Sequence, residues 1–140
     1  HHFDDVIETI LMGILYGGQI NTMMPKLHSK NFPGMELIRP LYCVHEDAII
    51  AWKNYNQLQF LQCACRFTER CATCGGEKGS KRDEMKELIA ELRKRCDTID
   101  MNIFNSVHNI NLKTVIGYHK GDWTYNFLDD YDEEEKKMPR

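Results

Sequence analysis

The stretch Asp4-Asp5-Val6-Ile7-Glu8-Thr9-Ile10-Leu11-Met12-Gly13-Ile14-Leu15-Tyr16-Gly17-Gly18 decides the fold class of this chain. Val6, Ile7, Ile10, Leu11, Ile14 and Leu15 recur at helical spacing and fall on one face of a helix. Asp4 or Asp5 is placed to cap that helix, and Gly17-Gly18 to end it. The same run has the apolarity of a secretion signal. Acids rather than bases precede it, and no clear small-residue cleavage site follows, so a buried helix is the reading. His1-His2 with no initiator Met reads as an added remnant or a trimmed start, and both histidines are set aside from site reasoning.

Working outward, the segment from Gln19 to Tyr42 carries Pro25, Pro33 and Pro40 and reads as an irregular connector with short helical or extended pieces. Glu46-Asp47 open a second helix with acids suited to the macrodipole. Ala48, Ile49, Trp52, Tyr55, Leu58 and Gln62 carry that helix to about residue 62, across the centre of the domain. A third helix follows Ser80, which resembles a capping box with Asp83. Met85, Leu88, Ile89, Leu92, Cys96 and Ile99 form its buried face. Ile103, Phe104 and Val107 suggest one more short helix. The period then changes: Leu112, Thr114, Ile116 and Tyr118 alternate, His119-Lys120-Gly121-Asp122 turns, and Trp123, Tyr125 and Phe127 alternate back. This is a β-hairpin signal. The expected fold is therefore mainly α, of the α+β kind: a compact helical domain with a zinc-binding loop and a C-terminal hairpin. Residues 3–128 are expected to form one zinc-stabilised domain, and 129–140 an acidic, mobile tail.

The length of 140 residues suffices for a domain with its own core. No apolar run approaches the ~20 residues that span a bilayer. The net charge of −3 conceals an asymmetry: Cys63 to Cys96 holds nine Lys/Arg against six Asp/Glu, and acids crowd Asp129 to Glu135. Six cysteines without a convincing secretion signal favour a reducing, intracellular setting, cytoplasm or nucleus, and metal binding over disulfides.

Four of those six fall together, as Cys63-Ala-Cys65 and Cys71-Ala-Thr-Cys74-Gly75-Gly76. Thiolates are strong zinc donors, and four satisfy one tetrahedral ion. Cys71 and Cys74 have knuckle spacing. Cys63 and Cys65 are two apart, so on a helix they would point roughly 200° from each other. Both ligate only if the second helix has ended. The alternates are His45, Cys43, Cys96 and His108. For Cys43 and Cys96 a small buried thiol is the plainer account. A site with four protein ligands is closed and structural. The zinc deaminase pattern is broken, because His45-Glu46 are adjacent and no Pro precedes Cys71. A thioredoxin-like pair would open a helix, whereas Cys74 runs into Gly-Gly. The Gly75–Ser80 stretch lacks the P-loop ending.

Arg66, Arg70, Lys78, Lys81 and Arg82 are candidate phosphate contacts, extended by Lys86, Arg93, Lys94 and Arg95, with Phe67 among them to stack on a base. The plainer account is a solvated helix face laced with ion pairs. Trp52, Tyr55, Trp123, Tyr125 and the methionines could serve a protein contact. In its short cysteine spacing on a small helical body, the cluster resembles compact viral accessory proteins that use zinc to build a surface for host factors. The expected function is a non-enzymatic, zinc-binding adaptor that acts by protein–protein interaction. The alternatives are a zinc-finger-like nucleic-acid binder using Arg66–Arg95, and a cysteine- or zinc-dependent enzyme.

Overall fold

The computed structural model describes residues 1–60 and 81–132. The chain divides into two compact units, His1–His108 and Asn109–Arg140.

The first unit is built on α1, Phe3–Gly17, whose N-terminal two-thirds supplies most of the core: Phe3, Val6, Ile7 and Ile10 are buried. The periodic stripe seen in the sequence is therefore real, although Ile14 and Leu15 at its far end are exposed. Gly18, with φ of 62°, closes the helix in the left-handed conformation that favours glycine. Within the helix, Gly13 is fixed by a close approach, since a Cβ there would lie 2.8 Å from the Gln19 carbonyl oxygen. The cap differs from expectation. His2 takes that place: its Nδ1 accepts from the Asp5 amide at 3.4 Å, and its own amide donates to the Asp5 carboxylate at 3.1 Å. Asp4 is thereby free to turn away from the helix it was expected to cap.

The proline-containing connector holds a short antiparallel hairpin, β1 (Lys26–His28) and β2 (Glu36–Ile38), with Leu27 opposite Leu37. Pro33-Gly34 makes its turn, where Gly34 has φ of 82°. The next helix, α2, spans Glu46–Tyr55 only and contributes no buried residue; Trp52 is 57% exposed. The expectation of a central helix running to residue 62 is corrected here. Asn54 and Asn56 are weak helix residues, and Gln57 takes φ of 54°, which ends the run.

Helix α3, Lys81–Arg95, buries Met85 and Ile89, and Ile89 packs with Phe3 and Ile7 of α1. Acids in its first turn and Arg93-Lys94-Arg95 in its last suit the macrodipole. Cys96, expected on the buried face, is exposed just past the helix end. Helix α4, Ile99–Ser106, brings Ile103 and Phe104 onto both halves of the core, beside Tyr42.

In the second unit, β3 (Gly117–Lys120) and β4 (Trp123–Asn126) form the expected antiparallel hairpin. Gly121, with φ of 61°, opens its two-residue turn, the position where such hairpins need positive φ. The strands are shorter than the alternation suggested. Leu112–Thr114 and Phe127–Asp129 are 3-10 turns, each begun by an asparagine whose side chain accepts a backbone N–H. The mainly helical, α+β class is what the described residues show: four α-helices and two small two-stranded sheets. The zinc-binding loop falls at residues that lie outside them.

Candidate functional site

Polar groups concentrate where α1, α2 and α3 meet. Asp4 and Glu8 are one helical turn apart on α1, beside its apolar stripe, and both are buried. Buried carboxylates demand partners. Asp4 has four: its Oδ2 accepts the Glu46 amide at 2.7 Å, its Oδ1 accepts from Arg93 at 2.7 Å, and His2 and His45 each stand 3.9 Å away. Burial pushes the Asp4 pKa up, but those hydrogen bonds outweigh it and leave the carboxyl below the usual carboxylate range. Arg93 also donates to both oxygens of Asp100, at 3.0 and 2.9 Å. Arg82 donates to Asp5 at 2.9 Å and to Glu8 at 3.2 Å. Glu8 is only 1% exposed, and burial raises its pKa to about 7 against the pull of Lys86 and Arg82. Lys86 reaches Glu46 at 3.5 Å. This network is a clasp: it ties the first turns of α1 and α2 to both ends of α3.

Next to it runs an aromatic stack. His45 lies on Phe3 at 4.3 Å between ring centroids, Phe3 on Phe104 at 4.9 Å, and Phe104 on His108 at 4.3 Å, with Tyr42 edge-on to Phe104 at 5.7 Å. Each such pair adds about 0.5–1.5 kcal/mol beyond area burial. His108 also bonds the Phe104 carbonyl through Nδ1 at 2.8 Å.

Cys63, Cys65, Cys71 and Cys74 lie outside the described residues, as do Arg66, Phe67, Arg70, Lys78 and Ser80. The alternates lie within them. His45 and His108 occupy opposite ends of the stack, with two phenylalanine rings between them. Cys43 and Cys96 are exposed free thiols, and Cys96 sits 3.3 Å from the Thr98 hydroxyl, which lowers its pKa. Among the described residues, no group of three or more His, Cys, Asp or Glu is placed to hold a metal ion. Of the basic strip, Lys81 lies over the Tyr16 ring at 4.7 Å, while Arg82, Lys86, Arg93 and Lys94 are ion-paired. The described part of the strip is thus largely a paired helix face.

The clasp itself went unread in the sequence. Its signal is there, as Asp4 and Glu8 spaced four apart along the edge of an apolar stripe.

A second concentration of side chains lies in the hairpin unit. Tyr118 and Tyr125 face each other across the strands with rings stacked at 4.9 Å, and Trp123 leans on Tyr118 at 5.7 Å. The two tyrosines border a cavity of about 280 Å³ that Leu112, Lys113, Phe127, Asp130 and Tyr131 also line.

The chain is similar to proteins named tRNA-cytidine(32) 2-sulfurtransferase. It is 40% identical over 111 residues to that of Coxiella burnetii (strain CbuG_Q212), covering 79% of this chain and 40% of the relative. It is 34% identical over 110 residues to one from Francisella philomiragia, covering 79% of this chain and 40% of the relative. The relative from Paraburkholderia phymatum is 34% identical over 110 residues, 79% of this chain and 30% of its own length. No protein-family model and no solved structure matches the chain.

These names overturn the expectation of a non-enzymatic, zinc-binding adaptor of viral type, since the relatives are named as enzymes. The expectation rested on a closed four-thiol site and on the absence of deaminase, thioredoxin and P-loop patterns, none of which a sulfur-transferring enzyme need carry in the portion compared. The chain spans only about 30–40% of the length of these curated relatives.

Proposed function

We propose that the chain is part of an enzyme that transfers sulfur to position 2 of a cytidine in tRNA, as the names of its relatives state for them. The observation that carries this is 40% identity over 111 residues, spread across 79% of the chain. A tRNA substrate also agrees with a soluble, intracellular protein. No helix among the described residues is long and apolar enough to cross a membrane.

The test uses the complete protein. Its gene is deleted from the source organism, total tRNA is digested, and 2-thiocytidine is measured by mass spectrometry. Loss of the nucleoside and its return on complementation is the expected result. Undiminished 2-thiocytidine in the deletion strain would overturn the proposal.

Within this reading Cys71 and Cys74, with Cys63 and Cys65, are proposed as soft-metal ligands. Four thiols within twelve residues suit such an ion by their donor chemistry. Thiolates hold zinc and iron–sulfur centres alike. Elemental analysis for both metals, with a count of protected thiols, decides it. Metal-free protein whose melting temperature ignores chelators would exclude a structural ion.

A further inference from the structure

The clasp on α1 is consumed by its own ion pairs, whereas the hairpin unit carries aromatic surface and a cavity that the proposed function has not used. Tyr118 and Tyr125 are only half-buried, and Trp123 is 57% exposed. The two tyrosines border a cavity of about 280 Å³, close to the lower end of the roughly 300–1,000 Å³ of ligand pockets, a size for one planar ring system.

Apart from Leu112, the lining has three chemical parts. Tyr118, Tyr125, Phe127 and Tyr131 supply aromatic walls, with Phe127 and Tyr131 edge to face at 88° and 6.3 Å. Asp130 supplies a carboxylate: one oxygen accepts the Tyr125 hydroxyl at 2.8 Å, which leaves a second oxygen on the same group. Lys113 supplies a cation on the opening 3-10 turn, whose start is pinned by the Asn111 side chain accepting its amide at 3.1 Å. Aromatic walls suit a nucleobase face, a carboxylate oxygen accepts from an exocyclic amine such as the N4 of cytosine, and a lysine meets a phosphate.

We infer that this cavity takes a single unstacked base of an RNA loop, with Tyr118, Tyr125 and Tyr131 as the stacking surface, Asp130 as acceptor for an exocyclic amine, and Lys113 on the neighbouring phosphate. The inference rests on the tRNA reading for its class of ligand and on the hairpin geometry for its location. Acidic residues around the hairpin, Asp122, Asp129 and Asp132 among them, disfavour general adhesion to phosphate backbones. A site of this composition therefore selects an exposed base and leaves duplex alone.

The experiment measures binding of the complete protein to a fluorescein-labelled RNA hairpin with unpaired cytidines in its loop, against a duplex of the same composition. Tyr131→Ala and Tyr118→Ala are each expected to weaken loop binding roughly tenfold, the loss of one base-stacking partner. Tyr131→Phe and Tyr118→Phe should restore most of it, and Asp130→Asn should weaken cytidine loops more than uridine loops. Duplex affinity should be unchanged throughout. Melting temperatures of the conservative variants separate loss of binding from loss of fold. Equal affinity for loop and duplex, or full loop affinity in the alanine variants, would overturn the inference. If the deletion strain keeps its 2-thiocytidine while the alanine variants lose loop binding, the enzymatic reading fails and the base site stands. If thiolation depends on the protein but the variants bind and modify normally, the base site fails alone.

Discussion

At the scale of single residues, Glu8 and Asp4 titrate in opposite senses though one turn apart. Glu8 holds its proton longer in the folded protein than in the unfolded chain, with a pKa raised from 4.5 to about 7 by burial. The folded state therefore binds more protons across that window, and stability declines as pH rises through it. Asp4 is shifted down by the Glu46 amide and Arg93 in spite of burial, so its contribution is present above the unfolded value of 3.8 and is lost as pH falls below it. Melting temperature is expected to peak near about pH 5 and to fall towards about pH 7.5, where the Glu8 share amounts to at most about 3 kcal/mol. Glu8→Gln should flatten the neutral side of that profile. A wild-type curve that is level between these pH values would show that Arg82 keeps Glu8 ionised throughout. Neither carboxylate role was legible in the sequence, because a helical acid beside an apolar stripe reads as a boundary residue until the arginine that covers it is placed.

At the scale of elements, α3 is held to α1 by two arginines as well as by Ile89. Arg93 bridges Asp4 and Asp100, and its guanidinium is half-exposed, so solvent screening limits its worth. Arg93→Ala should cost about 1–2 kcal/mol, read as a shift in urea midpoint at constant slope. Arg93→Lys should recover only part of it, since a lysine cannot span both carboxylates with a planar fork. An unchanged midpoint in Arg93→Ala would mean that apolar packing alone sets the α1–α3 contact. These helices were legible because their stripes of apolar residues are long and regular. The hairpin β3–β4 was legible through Tyr118, Gly121 and Trp123. Helix α2 was overextended because Leu58, Phe60 and Leu61 continue an apolar pattern, while the backbone turns left-handed at Gln57, a conformation that residue type does not announce.

At the scale of the molecule, apolar side chains stay uncovered: Ile14 and Leu15 at the end of α1, Leu37 and Ile38 on β2, and Ile50 and Trp52 on α2. A two-stranded hairpin open to solvent is marginal by itself. The 140-residue chain alone is expected to bind a hydrophobic dye such as ANS, and a protein of the relatives' full length to bind much less. Equal dye binding by both would show that these side chains are not a buried interface. The function was illegible for a related reason: the residues compared are a minority of the relatives' length, and the cysteine cluster resembles structural zinc sites in spacing alone. One consequence of the Asp4 clasp reaches that cluster. Asp4 grips the first turn of α2 and the last turn of α3, and Cys63, Cys65, Cys71 and Cys74 lie on the stretch of chain between those two points. Both ends of that span are held to one carboxylate, and a chain tethered at its ends loses less entropy when its thiols close on one ion. An ion captured there would owe part of its affinity to a carboxylate that never touches it, and Asp4→Asn would register first in a chelator competition.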